Sequence, residues 1–143
     1  MIILDTNVIS EPLRQHPDPA VIRWLDAQHP ETLYLTAVNL SELLIGIALL
    51  PSGKRKRGME LAAQSLQVKL FAGRFLSFDR EAAIAFSLLG SRAAAKGYPL
   101  SVADCQIAAI AAAHGFAVAT RDTAPFIAAG VSVINPWDQS RQS

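Results

Sequence analysis

The chain has 143 residues, with 13 Lys and Arg against 12 Asp and Glu for a formal net charge of +1. That length suits one domain burying on the order of 70% of its unfolded surface, and near-neutrality excludes nucleic-acid binding through overall basicity, leaving only a local patch for that role. The single cysteine, Cys105, excludes an internal disulfide and a cysteine-rich zinc site, and no apolar run nears the ~20 residues of a membrane span.

Taken in chain order, the first element is an apolar strand over 1–4 that ends on Asp5. It lacks the basic flank of a signal peptide, so the expectation is a cytoplasmic protein with no membrane partner. A helix over 19–28 follows, with Val21, Ile22, Trp24 and Leu25 at helical spacing, then a strand over 33–36. The next helix, 39–50, stops at Pro51-Ser52-Gly53, and a longer helical stretch, 54–72, opens on the basic turn Lys54-Arg55-Lys56-Arg57. A strand over 75–78 leads to a helix over 79–96, ended by Gly97-Tyr98-Pro99. The alanine-rich helix from Ser101 closes at His114-Gly115, strands over 116–120 and 131–134 complete the order, and the polar residues 139–143 read as a frayed tail. Short β runs alternating with longer helices predict an α/β domain, 1–138, around a parallel sheet.

Four acids stand where a strand or loop hands over to a helix. Asp5 and Asp122 directly follow predicted strands, while Glu42 and Asp104 are read in the first turns of helices. In an open α/β sheet, residues just beyond the carboxyl ends of strands share one edge of the molecule, and ligands bind there. Taken singly, each acid serves equally well as a helix cap: Asn39 to Glu42 and Ser101 to Asp104 have capping-box spacing, and Asp122 before Thr123 suits an Asx turn. Taken together they repel, by roughly 3 kcal/mol per pair at ~6 Å and an effective dielectric near 20, so the cluster calls for protons or a cation. An all-oxygen set favours Mg²⁺ or Mn²⁺ over zinc, and the chemistry it implies is metal-assisted hydrolysis of a phosphodiester. Asp5 and Asp104 are the first choices as metal ligands, with Glu42 and Asp122 completing the site or positioning water. Thr6, Asn7 and Thr120 are the hydrogen-bonding groups behind them.

Four segments, Leu4-Asp5-Thr6-Asn7-Val8-Ile9-Ser10-Glu11, Ser41-Glu42-Leu43, Ala103-Asp104-Cys105-Gln106-Ile107-Ala108-Ala109 and Thr120-Arg121-Asp122, resemble in order the acidic motifs of PIN-domain ribonucleases. The likeness spans nearly the whole chain and is greatest to the VapC-type toxins. Ile9-Ser10-Glu11-Pro12 and Ile134-Asn135-Pro136-Trp137 resemble the FitB-like subgroup, in which the acid follows the Thr-Arg pair directly, as Asp122 does here. The resemblance implies a three-layer α/β/α sandwich with a roughly five-stranded sheet and Mg²⁺-dependent endoribonuclease activity. It also implies a cognate antitoxin that itself binds operator DNA, and a toxin homodimer. By matching positions, Asp5, Glu42, Asp104 and Asp122 take the catalytic and metal-binding roles.

The cluster Lys54, Arg55, Lys56 and Arg57 is the only concentrated positive patch, read either as an RNA-backbone contact or as a solvated helix start. Cys105 and His114 lie nine positions apart on one helix and point to opposite sides, so they form no nucleophile–base pair, and Cys105 reads as a small buried hydrophobe. Apolar positions in 19–28 and 79–90 are candidates for a dimer face. A rival of another class is a non-enzymatic regulatory subunit whose acidic pocket receives a cationic side chain of a DNA-binding partner. A phospho-receiver needs a lysine after the final strand, where Ile134-Asn135-Pro136 stands. A haloacid-dehalogenase-like phosphatase needs an acid at position 7, which is Asn7.

Overall fold

The computed structural model describes residues 1–138; the tail expected to fray at 139–143 lies outside the described residues. Strands β1 (Ile2–Leu4), β2 (Leu33–Thr36), β3 (Phe75–Leu76), β4 (Ala117–Ala119) and β5 (Val133–Ile134) form one sheet in the order β3-β2-β1-β4-β5. Every ladder is parallel, with Ile3 opposite both Tyr34 and Val118, Leu35 opposite Phe75 and Ala119 opposite Ile134. The strands are those read from the sequence, trimmed at their ends to the paired residues.

The period of two along each strand sends alternate side chains to two helical layers. Ile3, Tyr34, Leu76, Val118 and Val133 face the layer of α5 (Arg80–Ala95), α6 (Val102–His114) and α7 (Thr123–Ala129), where Leu89, Ile107, Ile110 and Phe126 are buried. Their neighbours Leu4, Leu35, Phe75, Ala119 and Ile134 face α1 (Thr6–Ser10), α2 (Pro19–Asp26) and the segment around Phe71, where Val8, Val21 and Trp24 pack. A smaller cluster, Leu43, Ile47 and Ala63, joins α3 (Ala37–Ala48) to α4 (Lys54–Ser65). This is the three-layer α/β/α architecture, and among the described residues no helix is long and apolar enough to cross a membrane.

The alanines of α6 let it approach closely: Ala108, Ala109 and Ala111 are fully buried, and a Cβ on Gly90 of α5 would lie 3.1 Å from the Cys105 sulfur. Cys105 is accordingly packing, with burial pushing its thiol pKa up, away from nucleophilic use.

The structure departs from the sequence reading in four helical details. α3 begins at Ala37, earlier than position 39, because Thr36 caps it: Asn39 N–H donates to Thr36 Oγ1, and Thr36 N–H donates back to Asn39 Oδ1. The 54–72 stretch is an α-helix only to Ser65 and continues over Leu66–Leu70 as a wider π turn, in which Phe71 N–H reaches Leu66 O at 2.9 Å. The five-residue α1 is too short to show a period, and forms because Asp5 caps it and Val8 and Ile9 are buried. α7 was hidden by its length and by Pro125, which stands in the first turn where its missing N–H breaks no helical bond.

Candidate active site

The strand order carries the chain from central β1 outward through β2 and β3, then back across to β4 and β5 on the other side. The switch point lies between β1 and β4, and the crevice at their carboxyl ends is where an open sheet binds ligands. Asp5 follows β1 and Thr120 follows β4, so topology alone sets these two residues side by side. Asp5 N–H donates to Ala119 O at 2.9 Å, fixing the backbone there. The Thr120 hydroxyl, fully buried, donates to Asp5 Oδ2 at 2.8 Å and accepts from Asp122 N–H at 3.1 Å. Asp5 Oδ1 in turn caps α1 by accepting from Thr6 N–H at 2.8 Å, and Asn7 Nδ2 stands 3.5 Å from both Asp5 Oδ2 and Thr120 Oγ1.

Glu42 arrives by a second route. It sits in the second turn of α3, not the first as read from the sequence, and the capping box belongs to Thr36 and Asn39 rather than to Asn39 and Glu42. The fully buried Asn39 spends its oxygen on Thr36 and donates Nδ2–H to Thr6 Oγ1 at 3.2 Å; the Thr6 hydroxyl then donates to Glu42 Oε1 at 2.8 Å. Because Asn39 nitrogen can only donate, it leaves the Thr6 proton aimed at Glu42. This relay makes Asn39 a site residue that sequence reasoning treated only as a cap. The signal was present, since an asparagine three residues after Thr36 is a capping-box pattern, but its second bond spans the sheet edge to Thr6.

Asp104 is in the first turn of α6, capped as expected by Ser101, whose hydroxyl oxygen accepts from Asp104 N–H at 3.1 Å. Asp122 is exposed at the start of α7 and makes no capping bond, so the turn there is closed by the Thr120 hydroxyl and not by the Asx turn expected of Asp122. The four acids feel one another. Burial raises the Asp5 carboxyl from 3.8 to about 6, with Asp104 and Glu42 adding to the rise against hydrogen bonds from Thr120 and Thr6. Asp104 is also raised, first by burial and then by Glu42 and Asp122, while Ser101 holds it down.

The donor set fits a hard divalent cation: the oxygens are carboxylate, and the buried charge of Asp5, whose raised pKa marks it as unfavourable, is one that a nearby cation would offset. Among the described residues no three His, Cys, Asp or Glu side chains converge as a ready-made metal cage. Mg²⁺ does not demand one, since it is held through one or two carboxylates with waters and substrate phosphate completing its shell.

The basic cluster is not brought to this edge. Lys54, Arg55, Lys56 and Arg57 begin α4, beyond the C-terminal end of α3, and Lys56 Nζ donates to Ala48 O at 2.9 Å. There a cation complements the α3 dipole, which explains why the cluster tolerates the unfavourable N-terminus of α4. The buried carboxylate Glu11 also stands apart from the four, holding Asp18 N–H at 3.0 Å and Arg14 Nη1 at 3.3 Å.

A parallel sheet with an acidic crevice at its switch point defines the class of the molecule. The PIN domain profile matches residues 2–131, and the chain belongs to the PIN domain family. It is 51% identical over 138 residues to the plasmid stability protein StbB of Pseudomonas syringae pv. tomato, covering 96% of this chain and 99% of that one. Similarity of the same extent relates it to the VapC ribonuclease Y4jK of Sinorhizobium fredii, at 49%, and to toxin FitB of Neisseria gonorrhoeae, at 47%; each pairing covers 96% of this chain and 99% of the relative. Among solved structures, FitAB bound to an IR36 DNA fragment superposes with a TM-score of 0.91 at 46% identity, over 96% of both chains.

Proposed function

We propose that this chain is a Mg²⁺- or Mn²⁺-dependent endoribonuclease, the toxin half of a toxin–antitoxin pair, formed by a single domain over 1–138 and acting on RNA in the cytoplasm. The observation that carries the reading is the placing of Asp5, Glu42, Asp104 and Asp122 around one switch-point crevice, where burial, with Asp104 and Glu42 adding to it, raises Asp5 to about 6. Identity near 50% to a VapC ribonuclease and near 47% to toxin FitB supports it.

In this reading Asp5 and Asp104 hold the metal, with Glu42 and Asp122 as further ligands or as holders of water. When bound, the metal supplies an activated water and offsets charge on the leaving oxygen of a phosphodiester. Thr120 and Thr6 keep both oxygens of Asp5 occupied by donors, fixing the carboxylate plane. Thr6, directed by Asn39, fixes Glu42 while leaving its second oxygen for water. Asn7 ties the loops after β1 and β4 together, so the crevice does not widen when like charges meet in it.

The antitoxin surface is a separate feature. An apolar groove of about 510 Å³ runs over the α1–α2 layer, lined by Leu4, Ile9, Leu13, Ile22, Leu25 and Phe71. It suits an apolar antitoxin segment, with operator DNA contacted through that partner. For the homodimer, α5 is the better of the two expected regions: Ile84 and Leu88 are exposed one helical turn apart, whereas Val21 and Trp24 of α2 are core.

The test is cleavage of a cellular RNA pool by antitoxin-free protein with Mg²⁺ or Mn²⁺, with EDTA, and with Asp5→Asn and Asp104→Asn variants. Metal-dependent cuts lost in both variants are expected. Absence of cuts from a folded, metal-loaded wild-type protein overturns the nuclease reading in favour of a regulatory subunit.

A further inference from the structure

We propose that Arg121, held against the ring of Trp137, is a fixed contact for the RNA backbone at the rim of the acidic crevice. This rests on the ribonuclease reading, and it answers a problem that reading creates: four carboxylates at one edge repel the polyanion they are meant to cut. Arg121 lies in sequence between Thr120, bonded to Asp5 at 2.8 Å, and the exposed Asp122, and its N–H donates to Asn7 Oδ1 at 3.4 Å. Its backbone is therefore part of the crevice wall.

Its side chain is not spent on the acids around it. Among the described residues the ion pairs are Arg14 with Glu11 and Arg80 with Glu81, and Arg121 makes neither an ion pair nor a side-chain hydrogen bond. Instead its guanidinium carbon stands 5.1 Å from the centroid of the Trp137 ring. The two residues follow β4 and β5, adjacent strands whose registers place Ala119 beside Ile134, so both belong to the carboxyl edge that holds the crevice. Trp137 is itself braced, its N–H donating to Asn135 Oδ1 at 3.0 Å and its ring packing against the Leu4 and Ala119 cluster. The cation–π contact holds the guanidinium over the ring and, among the described residues, leaves its N–H groups unspent. A planar fork of donors held in this way matches the bidentate geometry of phosphate, which a mobile lysine does not.

The experiment measures binding of a short fluorescein-labelled single-stranded RNA to full-length protein in the non-cleaving Asp5→Asn background, across a salt series. Adding Arg121→Ala is expected to weaken binding about tenfold and to flatten the log–log salt slope by about 0.7, the signature of one lost phosphate contact. Arg121→Lys keeps the slope, and Trp137→Leu weakens binding with no further loss on combination with Arg121→Ala. In otherwise wild-type protein, Arg121→Ala raises KM several-fold with kcat little changed. A folded Arg121→Ala protein with unaltered affinity and slope overturns the proposal, as does an unaltered slope accompanied by loss of antitoxin affinity, which would make the cation a protein contact. Wild-type protein that cleaves no RNA sinks the underlying nuclease reading, whereas cleavage with an unchanged Arg121→Ala slope sinks this inference alone.

Discussion

Replacing Asp5 with asparagine is expected to stabilise the metal-free protein while abolishing its activity. Asp5 is 5% exposed, and burial, reinforced by Asp104 and Glu42, raises its carboxyl from 3.8 to about 6. At about 1.4 kcal/mol per pKa unit, the ionised group costs the native state about 3 kcal/mol at neutral pH. The sign follows from linkage: the native pKa lies above the unfolded one, so between about 4 and 6 the native state binds the extra proton and stability falls as pH rises. The amide of Asp5→Asn keeps an oxygen for Thr6 N–H, reverses the second bond by donating its NH2 to Thr120 Oγ1, and carries no charge, so a gain of about 1 to 3 kcal/mol is expected in EDTA at neutral pH. For a domain of this size that is a Tm increase on the order of 3 to 10 °C. Urea and thermal melts followed by circular dichroism across the acid range make the test. Wild-type protein should gain stability as pH falls through about 6, and the variant should gain less. Added Mg²⁺ should raise the wild-type Tm more than that of the variant. A variant less stable than wild type by 1 kcal/mol or more in EDTA, or one with the same pH dependence, refutes the argument that Asp5 is held charged against its surroundings.

Three further outcomes are expected. Thr6→Val cuts the relay from Asn39 to Glu42, and is expected to lower kcat about tenfold with KM unchanged at a stability cost near 1 kcal/mol; single-turnover kinetics and melts separate the two effects. Reversing the charges of Lys54, Arg55 and Arg57 while keeping Lys56 tests the basic cluster: an RNA-binding role predicts a shallower salt slope, and an unchanged slope removes the cluster from the binding surface. Gly130→Ala is expected to cost about 1 to 2 kcal/mol in equilibrium unfolding, because its φ of 94° is left-handed and the new methyl meets Arg92 Nη1 at 2.7 Å.

By itself the sequence determined the parallel α/β plan, through the alternation of short β-rich runs with long helices, and the placing of Asp5 and Asp122 just after strands and of Asp104 in the first turn of a helix; Glu42 lies one turn further into α3 than read. Both are local: a strand period, a Ser101 cap or a Gly115 stop is written within a few residues. The family was legible for the same reason, because its acidic motifs are short contiguous segments. What needed the tertiary structure is what depends on residues far apart in the chain. Thr120 meets Asp5 only because the order β3-β2-β1-β4-β5 sets β1 beside β4. Asn39 governs Glu42 only through Thr6, 33 positions away, and the Asp5 pKa rises only when the sheet closes over its carboxyl. The short helices α1 and α7 are likewise made by burial of Val8, Ile9 and Phe126 rather than by any period. Desolvation and hydrogen bonding across a sheet edge are properties of packed surfaces, and no window of sequence contains them.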